Sequence, residues 1–131
     1  MAHPPRAFCA FDYDHDSTLR DFLFGQSKHP DTNFEMHDWS VKEPFAPSEW
    51  KQRVRDKIRA CDLVIVICGE HTHNAAGVDV ELQIAQDERK PYFLLRGYSN
   101  KPCTKPPSAA FGDKLYNWTW DNLKQLVRCF R

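Results

Sequence analysis

The feature that most constrains the fold is "LVIVIC", an uninterrupted apolar run at Leu63–Cys68. A strand with one face in water alternates apolar and polar residues, whereas this run shows no alternation. Continuous branched residues are typical of a strand that is buried on both faces, at the centre of a parallel sheet. Amphipathic segments stand on either side of the run, so the sequence predicts that helices cover both faces of the sheet.

The remaining segments complete an alternating pattern of strands and helices. We predict further strands at residues 7–11, 34–36, 92–95 and 114–118. Helices are predicted after Asp16 or Ser17 with Leu19, Phe22 and Leu23 on one side, after a Ser48 cap, up to about Lys90, and at 119–130. This order predicts an α/β, doubly wound, flavodoxin-like fold with a five-stranded parallel sheet flanked by helices. With 131 residues and no linker, we treat residues 1–131 as a single domain.

Charge and cysteine content exclude several classes of protein. Lys+Arg and Asp+Glu are both 18, and a net charge of zero argues against a basic nucleic-acid surface and against attachment to anionic lipid. No apolar run approaches the roughly 20 residues of a membrane span, and the amino-terminal residues do not resemble a signal peptide. Five scattered cysteines without a C-x-x-C pair are typical of reduced thiols. We therefore expect a cytoplasmic protein.

Two polar segments directly follow predicted strands, and they indicate where a site would lie. "DYDHD", at residues 12–16, follows the first strand, and "GEHTH", at 69–73, follows the third. In open α/β sheets, ligands bind at the carboxyl ends of the strands, near the point where the strand order reverses. We therefore expect the two segments to be close in space and to form the functional site.

Glu81 stands on the apolar side of the predicted third helix. With about 100° per residue, it falls between Ile84 and Ala85 on the helical wheel. A carboxylate in an apolar arc is uncommon, and near the helix start the dipole would favour its charge. Glu81 would point toward the ligand edge. The alternative is that it lies at the boundary of the apolar face and pairs with a lysine or arginine.

The acids and histidines of the two loops would also suit a metal ion. The candidate ligands are Asp12, Asp14, His15, Asp16, His71 and His73. Their spacing is nonspecific, and no cysteine pair supports zinc. We predict no metal site, and expect the acids to cap a helix and the histidines to line a loop.

Other chemistries fit the sequence less well. A phospho-receiver domain needs an aspartate at the end of the third strand, where this chain has "CGE", and no G-x-G-x-x-G or G-x-x-x-x-G-K motif is present. Cys68 could be a nucleophile beside Glu70 and His71, but a thiol that ends an apolar run is expected to be packed. Trp39, in a polar loop, either stacks on a ligand ring or folds back on the core.

Two segments carry a resemblance to a known family. "RAFCAFDYDHD" and "IRACDLVIVICGEHTHNAAGVDVELQIAQDERKPYFLL" resemble a TIR domain, and more narrowly the prokaryotic TIR-like group that includes the TIR subunit of Thoeris anti-phage systems. The resemblance covers nearly the whole chain and includes "HDWSVKEP". Family positions are matched at Cys61, Asp62, Glu81, Ala85, Lys90 and Pro91. The chain departs from many enzymatic TIR domains at Gly77, where they carry a tryptophan four residues before the glutamate.

The resemblance implies an enzyme that cleaves the bond between nicotinamide and ribose in NAD+. NAD+ is then the substrate, and no cofactor is required. The resemblance further implies an ADP-ribose-derived signal, either a cyclic ADP-ribose isomer or an ADP-ribose conjugate. This signal would activate a separate effector protein in anti-phage defence. A homo-oligomer is expected in the active state, because many enzymatic TIR domains form their site between two protomers.

The same resemblance assigns roles to particular residues. Glu81 matches the essential acid of the enzymatic relatives, and the substrate is expected to contact Phe11, Asp12, Tyr13, Trp39, His71 and Asn74. Two alternatives stay open. The chain could be a non-catalytic TIR module that only assembles with other TIR domains, which Gly77 favours, or a doubly wound domain that binds a small ligand without turnover.

Overall fold

The computed structural model describes residues 4–36 and 47–130, and these ranges contain five strands and four α-helices. The elements in chain order are β1 (Arg6–Ala10), α1 (Ser17–Ser27), β2 (Glu35–Met36), α2 (Pro47–Ala60), β3 (Leu63–Cys68), a short 3-10 helix (Thr72–Asn74), α3 (Ala76–Asp87), β4 (Tyr92–Arg96), β5 (Leu115–Asn117) and α4 (Trp120–Phe130). None of these helices is long and apolar enough to cross a bilayer.

All five strands are parallel, in the order β2-β1-β3-β4-β5. β3 is the central strand, with Ile65 opposite Cys9 of β1 on one side and opposite Phe93 of β4 on the other. Every side chain of β3 is fully buried, as the unbroken apolar run predicts. The strand order reverses beside β1, because the chain first adds β2 on one side of it and then β3 on the other.

The two faces of β3 belong to two separate apolar layers. Leu63, Ile65 and Ile67 pack in one layer with side chains of α1 and α4. The other face of the strand packs in a second layer with side chains of α2 and α3, among them Val54 and Leu82. This division follows from the period of two along a strand, and it confirms the doubly wound α/β fold.

Helix ends differ from the sequence predictions in three places. α2 begins at Pro47 and not after a Ser48 cap, because proline has no N–H to satisfy in the first turn and is well tolerated there. Asp16 precedes α1, but its carboxylate caps no backbone amide and instead accepts a hydrogen bond from the Tyr98 hydroxyl at 3.0 Å. α3 ends at Asp87, before Lys90, since Arg89 takes a left-handed conformation with φ of 56°.

The face of α1 also differs in one residue. Leu23 is fully buried, as predicted, whereas Phe22 is 63% exposed. Its ring meets the ring of Trp118 edge-to-face, with 5.6 Å between the centroids. Phe22 therefore covers the outside of the Trp118 ring and does not enter the core.

Candidate active site

A cavity of about 350 Å³ lies at the point where the strand order reverses. The loop after β1, the loop after β3, the first turns of α3 and one side chain of α2 enclose it. Its described lining is Phe11, Asp12, Tyr13, Asp14, His15, Trp50, His71, Asn74, Ala75, Ala76, Gly77, Val78 and Glu81. The two polar loops therefore meet at the carboxyl edge of the sheet, as the predicted topology requires.

The structure brings together most of the side chains that sequence reasoning selected. Six of them line this one cavity, namely Phe11, Asp12, Tyr13, His71, Asn74 and Glu81. Trp39 falls outside the described residues, so its predicted ligand contact has no structural counterpart. The roles of all seven stay predictions, since shared placement alone does not assign chemistry.

Glu81 is the buried acid of the cavity. Its side chain belongs to the inward face of α3 with Val78, Leu82 and Ala85, and only 9% of the residue is exposed. Among the described residues it has neither a hydrogen-bond partner nor an ion pair, so the predicted lysine or arginine partner is not found there. Burial raises the pKa of the Glu81 carboxyl to about 8. Near neutral pH, the site therefore holds a largely protonated acid that a cationic ligand would ionise.

Glu88, two turns further along the same helix, has the opposite environment. It accepts a hydrogen bond from Arg55 Nη1 at 2.5 Å and another from Arg59 Nε at 2.7 Å. These guanidinium groups lower the pKa of Glu88. Both arginines come from α2, so the two helices are joined at the end away from the cavity. Glu81, at the other end, has no such cation in the described structure.

Asp12 organises the loop that follows β1. Its carboxylate accepts hydrogen bonds from the Asp14 amide at 3.0 Å and from Nδ1 of His15 at 2.7 Å. The hydrogen bond that His15 donates to Asp12, with the negative charges of Asp12, Asp14 and Asp16, raises the pKa of His15. Asp12 therefore holds the loop together and favours the protonated form of His15.

His15 lies against His71, with 4.1 Å between the ring centroids and 30° between the ring planes. One ring comes from the loop after β1 and the other from the loop after β3, so this contact joins the two polar segments. Sequence reasoning treated His15 only as a metal ligand. Its spacing of three residues from Asp12 was the signal that could have placed it in the site.

Aromatic rings form the apolar walls of the cavity. Phe11 and Tyr13 lie 4.6 Å apart between centroids, at the end of β1. Trp50, on α2, lies next to Gly77, whose missing side chain leaves room for the indole. Sequence reasoning did not select Trp50 as a site residue. No local signal distinguishes it, because its place in the site depends on how α2 packs on α3.

Two alternative chemistries lose support in this structure. Cys68 is fully buried, and burial raises the pKa of its thiol to about 12, so it is not an activated nucleophile. Within residues 4–36 and 47–130, no three His, Cys, Asp or Glu side chains are arranged to hold a metal ion. Asp16, one of the candidate ligands, is buried against Tyr98 and does not line the cavity.

A second, larger cavity of about 500 Å³ lies near the ends of β4 and β5. Its lining includes Phe22, Arg96 and Trp118, and the described residues around it include no carboxylate and no histidine. The described part of its lining therefore provides no carboxyl group or imidazole for proton transfer. The cavity around Glu81 is the better candidate for an active site.

The chain matches the model of a known family over most of its length. The model of the family described as "Thoeris protein ThsB, TIR-like domain" matches residues 8–101. The chain belongs to this family. The matched residues include all of the cavity lining, from Phe11 to Glu81. The resemblance to TIR domains in the sequence is thus confirmed.

The TIR-like chain also matches solved structures. One is the structure of Clostridium botulinum CMP N-glycosidase, BcmB, with a TM-score of 0.55 and 16% sequence identity, covering 95% of this chain and 96% of that one. At this identity, the match supports the α/β fold of the TIR-like domain. No curated protein sequence gives a significant match.

Proposed function

We propose that the protein cleaves the bond between nicotinamide and ribose in NAD+. The observation that carries this proposal is Glu81, a carboxyl group that is nine-tenths buried and has no partner among the described residues, in a cavity at the carboxyl edge of the sheet. Burying a carboxyl group without a partner is costly, so such a group is expected where a ligand supplies the missing interaction. Membership of the TIR-like family supports the same conclusion.

The reaction suits a single carboxylate. Nicotinamide leaves as a neutral molecule, because its ring nitrogen is already cationic in NAD+, and no proton has to be donated to it. The ribose passes through an oxocarbenium-like transition state, as in glycoside hydrolysis. A Glu81 carboxylate beside the ribose would stabilise this positive charge in a site with little water. The cationic nicotinamide ring of the substrate, placed beside Glu81, would also lower the pKa of this carboxyl group and ionise it on binding.

The cavity fits the reactive half of the substrate. A volume of about 350 Å³ is at the small end of ligand pockets, which span about 300–1,000 Å³. Nicotinamide and its ribose would fill the space between Trp50, Phe11 and Glu81, and the rest of the dinucleotide would extend past the histidines at the mouth. Aromatic walls suit a flat cationic ring.

The fate of the ribosyl cation decides the product. Water would give ADP-ribose, the adenosine half of the same molecule would give a cyclic isomer, and another small nucleophile would give a conjugate. We propose that the product is a cyclic isomer or a conjugate that activates a separate effector protein in anti-phage defence. The family's description as a Thoeris component supports this part of the proposal.

The test is release of nicotinamide from NAD+, followed by chromatography with mass detection at low and high protein concentration. We expect release by the wild type and a loss of about 100-fold or more in Glu81→Gln. Asp87→Asn is the matched control, because Asp87 is on the same helix but outside the cavity. The mass of the second product then separates hydrolysis from cyclisation and conjugation.

Absence of nicotinamide release at every protein concentration would contradict the proposal. That result would favour the alternative of a non-catalytic assembly module. Running the assay over a range of concentrations matters, because a site completed by a second protomer would be active only when the protein associates.

A second candidate is cleavage of a nucleoside monophosphate, since the similar structure BcmB is that of a CMP N-glycosidase. The raised pKa of Glu81 favours this chemistry, because a neutral carboxyl group can donate a proton to an uncharged base as it leaves. CMP therefore belongs in the same assay. Release of cytosine without release of nicotinamide would select the second candidate.

A further inference from the structure

The amino end of α3 forms part of the cavity wall and is open. Ala75, Ala76 and Gly77 line the cavity, and no side chain of the described residues caps the helix. The first backbone hydrogen bond of the helix runs from the Asp79 amide to the Ala75 carbonyl, at 3.2 Å. The amides of Ala76, Gly77 and Val78 therefore have no acceptor among the described residues. Such amides, with the positive end of the helix dipole, favour an anion.

Two histidine rings are at the same cavity. His15 and His71 are its only lining side chains in the described structure that can carry positive charge, since no lysine or arginine is among them. Nδ1 of His15 donates to Asp12, which holds the ring in place and favours its protonated form. The ring of His71 lies against it, at 4.1 Å between centroids.

Glu81 is a separate observation that points to a ligand in this cavity. It is nine-tenths buried, has no partner in the described structure, and is part of the lining. We infer that His15, His71 and the amino end of α3 form a subsite for the diphosphate of the dinucleotide. This inference rests on the proposed function, and it deepens that function by naming what holds the substrate's phosphates. Glu81 contacts the ribose, while the diphosphate lies at the mouth of the cavity.

The acidic residues of the cavity lining are Asp12, Asp14 and Glu81. They repel an anion less strongly than three free carboxylates would. The carboxylate of Asp12 accepts hydrogen bonds from His15 and from the Asp14 amide. Without a cationic ring beside it, Glu81 is largely protonated near neutral pH because burial raises its pKa to about 8. Asp14 is exposed at the rim, where solvent screens its charge. The open amides of α3 and the two histidine rings can therefore donate hydrogen bonds to an anion at this cavity.

The test is equilibrium binding of ADP-ribose and of adenosine, measured by calorimetry without any turnover. We expect wild type to bind ADP-ribose at least tenfold more tightly than adenosine, since charge-assisted hydrogen bonds to phosphate contribute that much or more. The double variant His15→Gln/His71→Gln should lose about tenfold in ADP-ribose affinity and keep its adenosine affinity. His73→Gln is the control. Nδ1 of His73 lies 2.9 Å from Oγ1 of Thr104, and His73 does not line the cavity.

A second pair of variants tests the helix end separately. A Cβ atom at Gly77 meets nothing closer than 3.8 Å, so a small side chain fits there. Gly77→Asp should weaken ADP-ribose binding while the thermal midpoint stays the same or rises, because an acid in the first turn stabilises a helix. Gly77→Asn, of nearly the same size but uncharged, should bind ADP-ribose better than Gly77→Asp does. Inorganic pyrophosphate should displace ADP-ribose from wild type and not from the double histidine variant.

Equal affinity for ADP-ribose and adenosine in wild type, or no loss in the folded double variant, would overturn the subsite. No binding of ADP-ribose at all would overturn it too. These outcomes are separate from the test of the proposed function. If the protein binds ADP-ribose more tightly than adenosine but releases no nicotinamide, the subsite is supported and the proposed reaction is contradicted. If the protein releases nicotinamide but binds ADP-ribose and adenosine equally, the reaction is supported and the subsite is contradicted.

Discussion

The ring of Trp50 on α2 lies 3.8 Å from the position that a Cβ atom on Gly77 of α3 would occupy. Many enzymatic TIR domains resembled by this sequence carry a tryptophan at the position of Gly77. Here an indole reaches the same part of the cavity from the neighbouring helix. The departure at Gly77 therefore does not leave the wall of the cavity without an aromatic ring.

This relationship predicts that Trp50 holds the flat ring of the substrate. Trp50→Leu, which keeps an apolar side chain but removes the ring face, should lower kcat/KM for nicotinamide release by about 3- to 10-fold, as expected from the loss of one aromatic stacking contact. Trp50→Phe should retain most of the activity. Equal activity in all three proteins would show that the indole only packs α2 on α3. Thermal midpoints are needed for each variant, because Trp50 also contributes to the core.

The buried carboxyl group of Glu81 predicts an unusual dependence of stability on pH. The folded state binds the Glu81 proton more tightly than the unfolded chain, because its pKa is about 8 against 4.5 for an ordinary glutamate. Below pH 4.5, the ionisation of Glu81 does not affect the free energy of unfolding. As the pH rises toward 8, the buried group lowers the free energy of unfolding increasingly. Above pH 8, the full reduction in the free energy of unfolding is on the order of 5 kcal/mol. Glu81→Gln should remove it.

Urea denaturation at pH 5, 7 and 8.5 measures this effect. The difference in unfolding free energy between Glu81→Gln and wild type should be near zero at pH 5 and should favour the variant increasingly up to pH 8.5. Asp87→Asn should show no such trend, because Asp87 is exposed. A difference between Glu81→Gln and wild type that stays constant with pH would mean that Glu81 is solvated in the folded protein.

The direction of the pH–rate profile distinguishes the two candidate reactions. If Glu81 must be ionised to stabilise the ribosyl cation, kcat/KM for NAD+ should rise about tenfold per pH unit below its pKa and level off near pH 8. If Glu81 donates a proton to a departing cytosine, kcat/KM for CMP should fall above the same pH. Because kcat/KM reports the free enzyme, substrate-induced ionisation does not alter the expected inflection. A flat profile between pH 6 and 9 would contradict both roles.

Replacing either of two glycines by alanine should change the free energy of unfolding, in opposite directions. At Gly69, directly after β3, a Cβ atom would lie 2.4 Å from Oδ2 of Asp16, which is buried and held by Tyr98. Gly69→Ala must move that carboxylate and should be destabilising by about 1–3 kcal/mol. At Gly25, inside α1, a Cβ atom meets nothing within 4 Å. Gly25→Ala should therefore stabilise the protein by about 0.5–1 kcal/mol, by lowering the backbone entropy cost. Urea denaturation of the pair checks both signs, and destabilisation by Gly25→Ala would contradict the helix assignment.

The sequence alone determined the type and order of the elements, because these depend on local patterns. The unbroken run at Leu63–Cys68 predicted the buried central strand, and its burial on both faces is found. The helical wheel predicted that Glu81 faces inward, which is also found. Helix ends were less predictable, since Pro47 and Arg89 act through backbone geometry that composition does not reveal.

The neighbours of the candidate acid were decided only by the tertiary structure. Whether Glu81 has a cationic partner depends on which turn of α2 faces it, and Arg55 and Arg59 of that helix pair instead with Glu88. The contact of His15 with His71 and the approach of Trp50 to Gly77 join residues that are tens of positions apart. Periodicity and spacing describe one element at a time. Distances between elements follow from how whole helices pack on the sheet, and a linear pattern does not contain them.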